Sequence, residues 1–135
     1  MKKVYDTINQ YCVEHELLTN GDGIVIGLSG GMDSVCLLQV LAALRNEWRL
    51  RLVCVHVHHG IRGTAADEDA AFAQRLAAKY NISFRLYEMD IPQLAKEQGL
   101  SEEETGRNYR YRCFEEVRKE LNFDKIAVAH HRDDQ

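Results

Sequence analysis

The sequence holds a single proline and 9 glycines in 135 residues, too few for a collagen-like repeat or a Pro/Gly-rich disordered chain. It has no apolar run near the ~20 residues that a membrane-spanning helix needs. Its four cysteines, Cys12, Cys36, Cys54 and Cys113, form no C-x-x-C pair. Zinc ribbons, iron–sulfur sites and thioredoxin-type motifs therefore lack their ligands. Scattered in apolar segments, the four read as small buried thiols of a reducing cytosol. An excess of basic charge is also missing: Lys and Arg number 17, Asp and Glu 21, and the net charge is −4. A dedicated nucleic-acid module is usually basic. The first residues are amphipathic and include Asp6 and Glu14, so they do not read as a secretory signal. What is there is the mix of one soluble globular domain, 45% apolar and 28% charged, long enough to bury a core unaided.

Two periods alternate along the chain. Val4, Ile8, Tyr11 and Cys12 follow helical spacing over residues 3–18, and a turn follows at Asn20–Gly23. Residues 24–28 (IVIGL) form an unbroken apolar run, as a central parallel strand does. A helix with Leu37, Leu38, Leu41 and Leu44 comes next, then a β-branched strand over residues 51–57. A helix over 67–80 is expected to bury Phe72, Leu76, Ala77 and Tyr80, with Asp67, Glu68 and Asp69 at its N-terminal turn. A strand over 82–88 and a short helix from Pro92 to Gln98, closed by Gly99, follow. Ser101 and Glu104 form a capping box for a helix to about Leu121, and residues 125–129 read as a fourth strand. Strands separated by helices imply right-handed βαβ units: an α/β fold, a doubly wound parallel sheet with helices on both faces.

The loop after the first strand is Ser29-Gly30-Gly31-Met32-Asp33-Ser34. A helix N-terminus offers unpaired N–H groups and the positive end of the macrodipole, glycines admit close backbone approach, and serines add hydroxyls. Together they suit a phosphate. The loop has no Walker A lysine and no G-x-G-x-x-G. Either it binds an anion, or it is a tight turn capped by Ser and Asp. Asp33 beside a phosphate calls for a bridging cation, most simply Mg²⁺; alternatively Asp33 only favours the helix N-terminus.

Phe114, Val117 and Leu121 mark the buried stripe of the 101–121 helix, and the stripe extends backward to Arg110 and Arg107. These arginines either meet an anionic ligand at the edge where the strands end, or snorkel and pair with Glu102–Glu104. Arg112 points elsewhere. Beyond the fourth strand lie Ala129-His130-His131-Arg132-Asp133-Asp134-Gln135. Asp134 or Asp133 is placed to share a metal with Asp33, and His130 or His131 to touch a nucleotide or move a proton; the bland reading is a polar Asx-turn loop. Histidines 56, 58, 59, 130 and 131 gather at two strand ends without the ligand spacing of a closed zinc site.

S-G-G-x-D-S after the first strand resembles the PP-loop of the N-type ATP pyrophosphatases. That superfamily includes synthetases for GMP, NAD, asparagine and argininosuccinate and several tRNA-modifying enzymes. Val55-His56-Val57-His58-His59-Gly60-Ile61-Arg62, Gly106-Arg107-Asn108-Tyr109-Arg110-Tyr111 and Ala129–Gln135 extend the resemblance, from about residue 22 onward, to the tRNA(Ile)-lysidine synthase family. His58 stands where Asn is usual there, and Gly106 where Ala is usual.

The resemblance implies a Rossmann-like fold of the adenine nucleotide alpha hydrolase type. It implies that residues 1–135 are the PP-loop adenylation domain, truncated at its C-terminal end, with the tRNA-binding C-terminal domains absent. It implies a cytoplasmic ligase that joins L-lysine to the wobble cytidine of tRNA(Ile) with a CAU anticodon. The cytidine would be adenylated by ATP, with AMP and pyrophosphate released. Ser29, Gly30, Gly31, Met32, Asp33, Ser34, His59 and His131 would bind ATP. Asp33, Arg107, Arg110 and Asp134 would be catalytic, with Asp33 and Asp134 on Mg²⁺. A homodimer of the full-length protein is compatible with it, and whether residues 1–135 act alone is left open. Two rivals stand beside it: a PP-loop tRNA thiolase, which generally needs catalytic or cluster-binding cysteines, and a non-catalytic ATP-binding regulatory module. The acidic charge leads to the expectation that residues 1–135 alone bind tRNA weakly.

Overall fold

The computed structural model describes residues 18–29, 31–60 and 65–129. The N-terminal helix expected over 3–18, Cys12, Gly30, and the terminal cluster with His131, Asp133 and Asp134 lie outside the described residues. Eight elements follow one another: β1 (Gly23–Gly27), α1 (Met32–Trp48), β2 (Arg51–His58), α2 (Ala65–Lys79), β3 (Ser83–Glu88), α3 (Ile91–Gln98), α4 (Glu102–Leu121) and β4 (Lys125–Val128).

All strand pairs are parallel, in the order β3-β2-β1-β4. The chain steps outward from β1 through α1 to β2 and through α2 to β3. It then returns across the sheet to place β4 on the far side of β1. Right-handed crossovers put connections that run in opposite directions on opposite faces. The two core clusters agree. Ile24, Ile26 and Cys54 pack with Leu38, Leu41, Leu44, Ala73 and Ala77 of α1 and α2. Val25, Val53 and Val55 pack with Phe114 and Val117 of α4. The register Ile24↔Leu52, Val25↔Val53, Ile26↔Cys54 puts alternate residues on alternate faces, so the unbroken apolar runs of β1 and β2 serve two layers.

The stripe expected on α2 keeps Ala77 and is corrected at Phe72. The buried residues are Ala70, Ala73 and Ala77, while Phe72 is 39% exposed; Leu76 and Tyr80 are partly buried at its side. Ala70, Ala73 and Ala77 keep the i, i+3, i+7 spacing, and small side chains let the helix lie close to the sheet. Local signals held elsewhere. Ser101 Oγ accepts the Glu104 amide at 3.1 Å, and Gly99 closes α3 at φ 66°.

The N-terminal end of the sheet is sealed by its own polar groups. Buried Asp22 accepts Lys125 Nζ at 2.6 Å and the Thr19 amide at 2.8 Å. Asp124 accepts the Gly23 amide at 2.8 Å and Arg51 Nη2 at 3.3 Å. The C-terminal end is built differently. There β1 leads to α1 on one face, while its neighbour β4 is reached from α4 on the other, so a crevice opens at the switch point.

Candidate active site

A cavity of about 780 Å³ lies at that edge. Its floor is the end of β1 and the loop after it, with Leu28, Ser29, Gly31, Met32 and Asp33. His56, Val57 and His58 enter from β2, His59 from the turn after it, and Ala66 and Asp69 from α2. Glu103, Arg107, Arg110, Tyr111 and Phe114 enter from α4, and Val128 and Ala129 from the end of β4.

The glycine–serine loop does not cap the helix it precedes. Gly31 is the N-cap of α1, and no side chain caps the helix. Ser34 Oγ instead donates back to the Gly31 carbonyl at 2.8 Å, and Ser29 Oγ accepts the Gly31 amide at 3.3 Å. Ser29 and Ser34 also meet each other, with Oγ atoms 3.3 Å apart. The serine hydroxyls thus bond within the loop and leave the helix uncapped, and the first N–H groups of an uncapped N-terminus have anion-binding character. Exposed Asp33 sits in this first turn on the cavity wall.

The loop is held from behind by β2. His56 is buried, and its Nδ1 lies 2.6 Å from the Leu28 carbonyl oxygen. A carbonyl only accepts, so Nδ1 carries the proton and Nε2 is left as an acceptor. Burial pushes the His56 pKa below its ordinary 6.5, against a smaller opposite push from the Leu28 carbonyl. His59 is also lowered, first by burial and then by the Arg110 guanidinium.

Arg107 and Arg110 reach the cavity from the first turns of α4, as the backward-extended stripe requires. Phe114, one turn further along, lies against Gly27: a Cβ at Gly27 would fall 2.6 Å from Phe114 Cζ. That missing methyl lets α4 settle onto the end of β1. Arg112 is 74% exposed and pairs with Glu116.

The structure thus gathers Ser29, Gly31, Met32, Asp33, His59, Arg107 and Arg110 around one cavity, with Ser34 buried just behind the loop. Three features escaped the sequence. Asp69 read as a helix-terminus charge yet enters the cavity and acts electrostatically on His56 and His59. Tyr111 lines the cavity, stacked edge-on against Phe114 with ring centroids 5.8 Å apart. Buried His58 pairs with the more exposed Asp67, signalled only by its place at the end of a buried strand. Among the described residues, Cys36, Cys54 and Cys113 do not line the cavity, and burial pushes the Cys54 thiol up to about 12. No group of three or more His, Cys, Asp or Glu among the described residues is arranged to hold a metal ion. No helix among them is long and apolar enough to cross a membrane.

Comparison with known proteins narrows what the cavity is. The tRNA(Ile)-lysidine synthase of Caldanaerobacter subterraneus subsp. tengcongensis is 46% identical over 134 residues, covering 99% of this chain and 28% of that protein. The tRNA(Ile)-lysidine synthase of Clostridium perfringens is 41% identical over 134 residues, again covering 99% and 28%. The chain thus spans about 28% of the length of these curated relatives. Among solved structures, the U34-tRNA thiolase NcsA from Methanococcus maripaludis with its [4Fe-4S] cluster superposes with a TM-score of 0.76. It is 22% identical and covers 98% of this chain and 45% of that one, a likeness of fold. Residues 2–135 match the PP-loop domain family. A match of that extent takes in every element that walls the cavity, and the chain belongs to the PP-loop domain family.

Proposed function

We propose that this chain supplies the ATP chemistry of lysidine formation: ATP-dependent ligation of lysine to the wobble cytidine of tRNA(Ile), with release of AMP and pyrophosphate. The observation that carries this reading is one cavity in which an uncapped helix N-terminus and Asp33 share the space with Arg107 and Arg110. The identity of 46% to a tRNA(Ile)-lysidine synthase supports this choice of reaction.

The cytosine 2-oxygen is a poor leaving group, so it must be activated before an amine can replace it. Attack of that oxygen on the α-phosphate of ATP breaks the bond to the bridging oxygen, expels pyrophosphate and makes the cytosine oxygen part of an AMP leaving group. The lysine amine then takes the ring carbon and AMP departs. The amides at the start of α1, with Ser29, Gly30 and Gly31, hold the pyrophosphate. Met32 flanks the nucleotide, Ser34 fixes the loop, and His59 and His131 contact ATP. Arg107 and Arg110 offset the charge that builds on the transferring phosphoryl group.

The donors suit Mg²⁺, which takes one or two carboxylates and fills its remaining positions with phosphate oxygens and water. Asp33 is such a carboxylate, exposed beside the uncapped amides, and Asp134 is proposed as the second. Bound there, the ion would neutralise phosphate charge during transfer. The tRNA substrate puts the protein in the cytoplasm.

The test is made on the full-length protein. AMP, and pyrophosphate beyond one equivalent per tRNA, should appear only when both lysine and a CAU-anticodon tRNA(Ile) are present. Turnover that needs a sulfur donor instead would make it a thiolase, and ATP binding without turnover would make it a sensor.

A further inference from the structure

The turn after β2 is built around His58, to which the chemistry above gives no part. Its side chain is 2% exposed. Its Nδ1 lies 2.9 Å from the Gly60 amide nitrogen. An amide N–H only donates, so Nδ1 must offer its lone pair. The ring proton is then on Nε2, which faces Asp67 Oδ1 at 2.5 Å. One tautomer satisfies both partners.

An acceptor that takes the amide two residues ahead is the bond of an Asx turn, with imidazole standing in for the Asn side chain. The imidazole is longer, so its far nitrogen reaches α2 as well. The turn has little slack. Gly60 has φ 89°, and a Cβ there would lie 2.7 Å from Met89 O and 2.8 Å from Asp90 Cα. The Met89 amide donates to His58 O at 3.1 Å and the Ile91 amide to His59 O at 3.2 Å, tying the turn to the end of β3. Between the two residues of this clamp stands His59. Its ring lies 3.8 Å from where a Cβ on Gly106 would be, against α4. On the other side the clamp holds Asp67 in the first turn of α2, two residues from Asp69 in the cavity.

We propose that His58 is a positioning residue: by gripping the Gly60 amide and Asp67 it sets His59 against α4 and Asp69 in the cavity. The proposal rests on the cavity being the ATP site. Two variants of the full-length protein separate the two bonds. His58→Asn keeps an acceptor for Gly60 and gives up the reach to Asp67. His58→Leu loses both.

With folding checked by circular dichroism, the Leu variant should raise KM for ATP about tenfold, as a displaced contact residue does, while kcat changes less. The Asn variant should stay within about threefold of the native KM because the turn bond survives. A folded Leu variant with native KM overturns the proposal, and so does an Asn variant no better than Leu. Should the Leu variant not fold, nitrogen NMR of the unsubstituted protein decides: the His58 proton is expected on Nε2, and a proton on Nδ1 overturns the proposal. Calorimetry with ATP alone keeps the two questions apart. If the native protein does not bind ATP, the reading of the cavity fails, and the tautomer still tests His58.

Discussion

Adding one methyl to a buried glycine should have opposite signs at two places in this domain. Gly106 lies inside α4, where glycine costs about 1 kcal/mol relative to alanine. A Cβ there would meet Arg110 Nη1 at 3.5 Å and His59 Cε1 at 3.8 Å, both ordinary contacts. Nothing has to move, so Gly106→Ala should stabilise the fold by about 0.5–1 kcal/mol, partly by restricting the unfolded chain. For a chain of 135 residues that corresponds to a Tm rise of roughly 2–4 °C.

At Gly27 the same methyl would lie 2.6 Å from Phe114 Cζ and 2.9 Å from Cε2. Phe114 is 3% exposed and joins α4 to the sheet, so its ring cannot swing into solvent. Overpacking of this kind costs about 1–3 kcal/mol, and Gly27→Ala should lower Tm. Calorimetry of the two variants beside the native protein reads both signs. A Gly106→Ala variant that melts earlier, or a Gly27→Ala variant that melts with the native protein, would refute the packing described at the cavity wall.

Three further outcomes are expected. Asp33→Asn should lower kcat for ATP-dependent AMP formation by about a hundredfold, the scale of losing one charge-stabilising element; native turnover would remove Asp33 from the metal. Arg107→Ala and Arg110→Ala should each cut kcat/KM by a factor of about 10², and an arginine whose loss is silent has no phosphate role. The third concerns acid stability. Burial depresses the folded pKa of His56, and His59 is shifted the same way. The unfolded chain therefore takes up protons near the ordinary 6.5 while the folded rings still resist them. Stability should be level above that pH and fall on acidification below it, until the folded rings titrate. His56→Gln should flatten the Tm profile between about pH 7 and 5; an unchanged slope would assign it to other groups.

What the sequence disclosed follows the range of each interaction. The apolar run of β1, the Ser101 cap of α4 and the closing Gly99 are local, and each appears in place. Arg107 and Arg110 were legible because helical periodicity carries the buried face of α4 back to them. Phe72 misled because hydrophobicity favours the largest side chain, whereas close helix–sheet packing selected Ala70 and Ala73 beside the expected Ala77. His58 and Asp67 are nine residues apart across a strand end, and no periodicity links them. Asp69 looks like any acidic residue near a helix start until the sheet edge is in place.

The charge balance shows the same limit. At the N-terminal end of the sheet, Asp22, Arg51, Asp124 and Lys125 are consumed in bonds with one another and with the backbone. At the C-terminal end, Asp33, Asp69, Arg107 and Arg110 come from three different helices to one cavity. Both ends draw on the same residue types, so a net charge of −4 cannot tell them apart. The distinction comes from topology. The chain reverses direction at β1, which forces α1 and α4 to opposite faces and leaves a gap between their N-termini. Charges at the other end have neighbouring strands to seal against, and charges at this end have a space to serve.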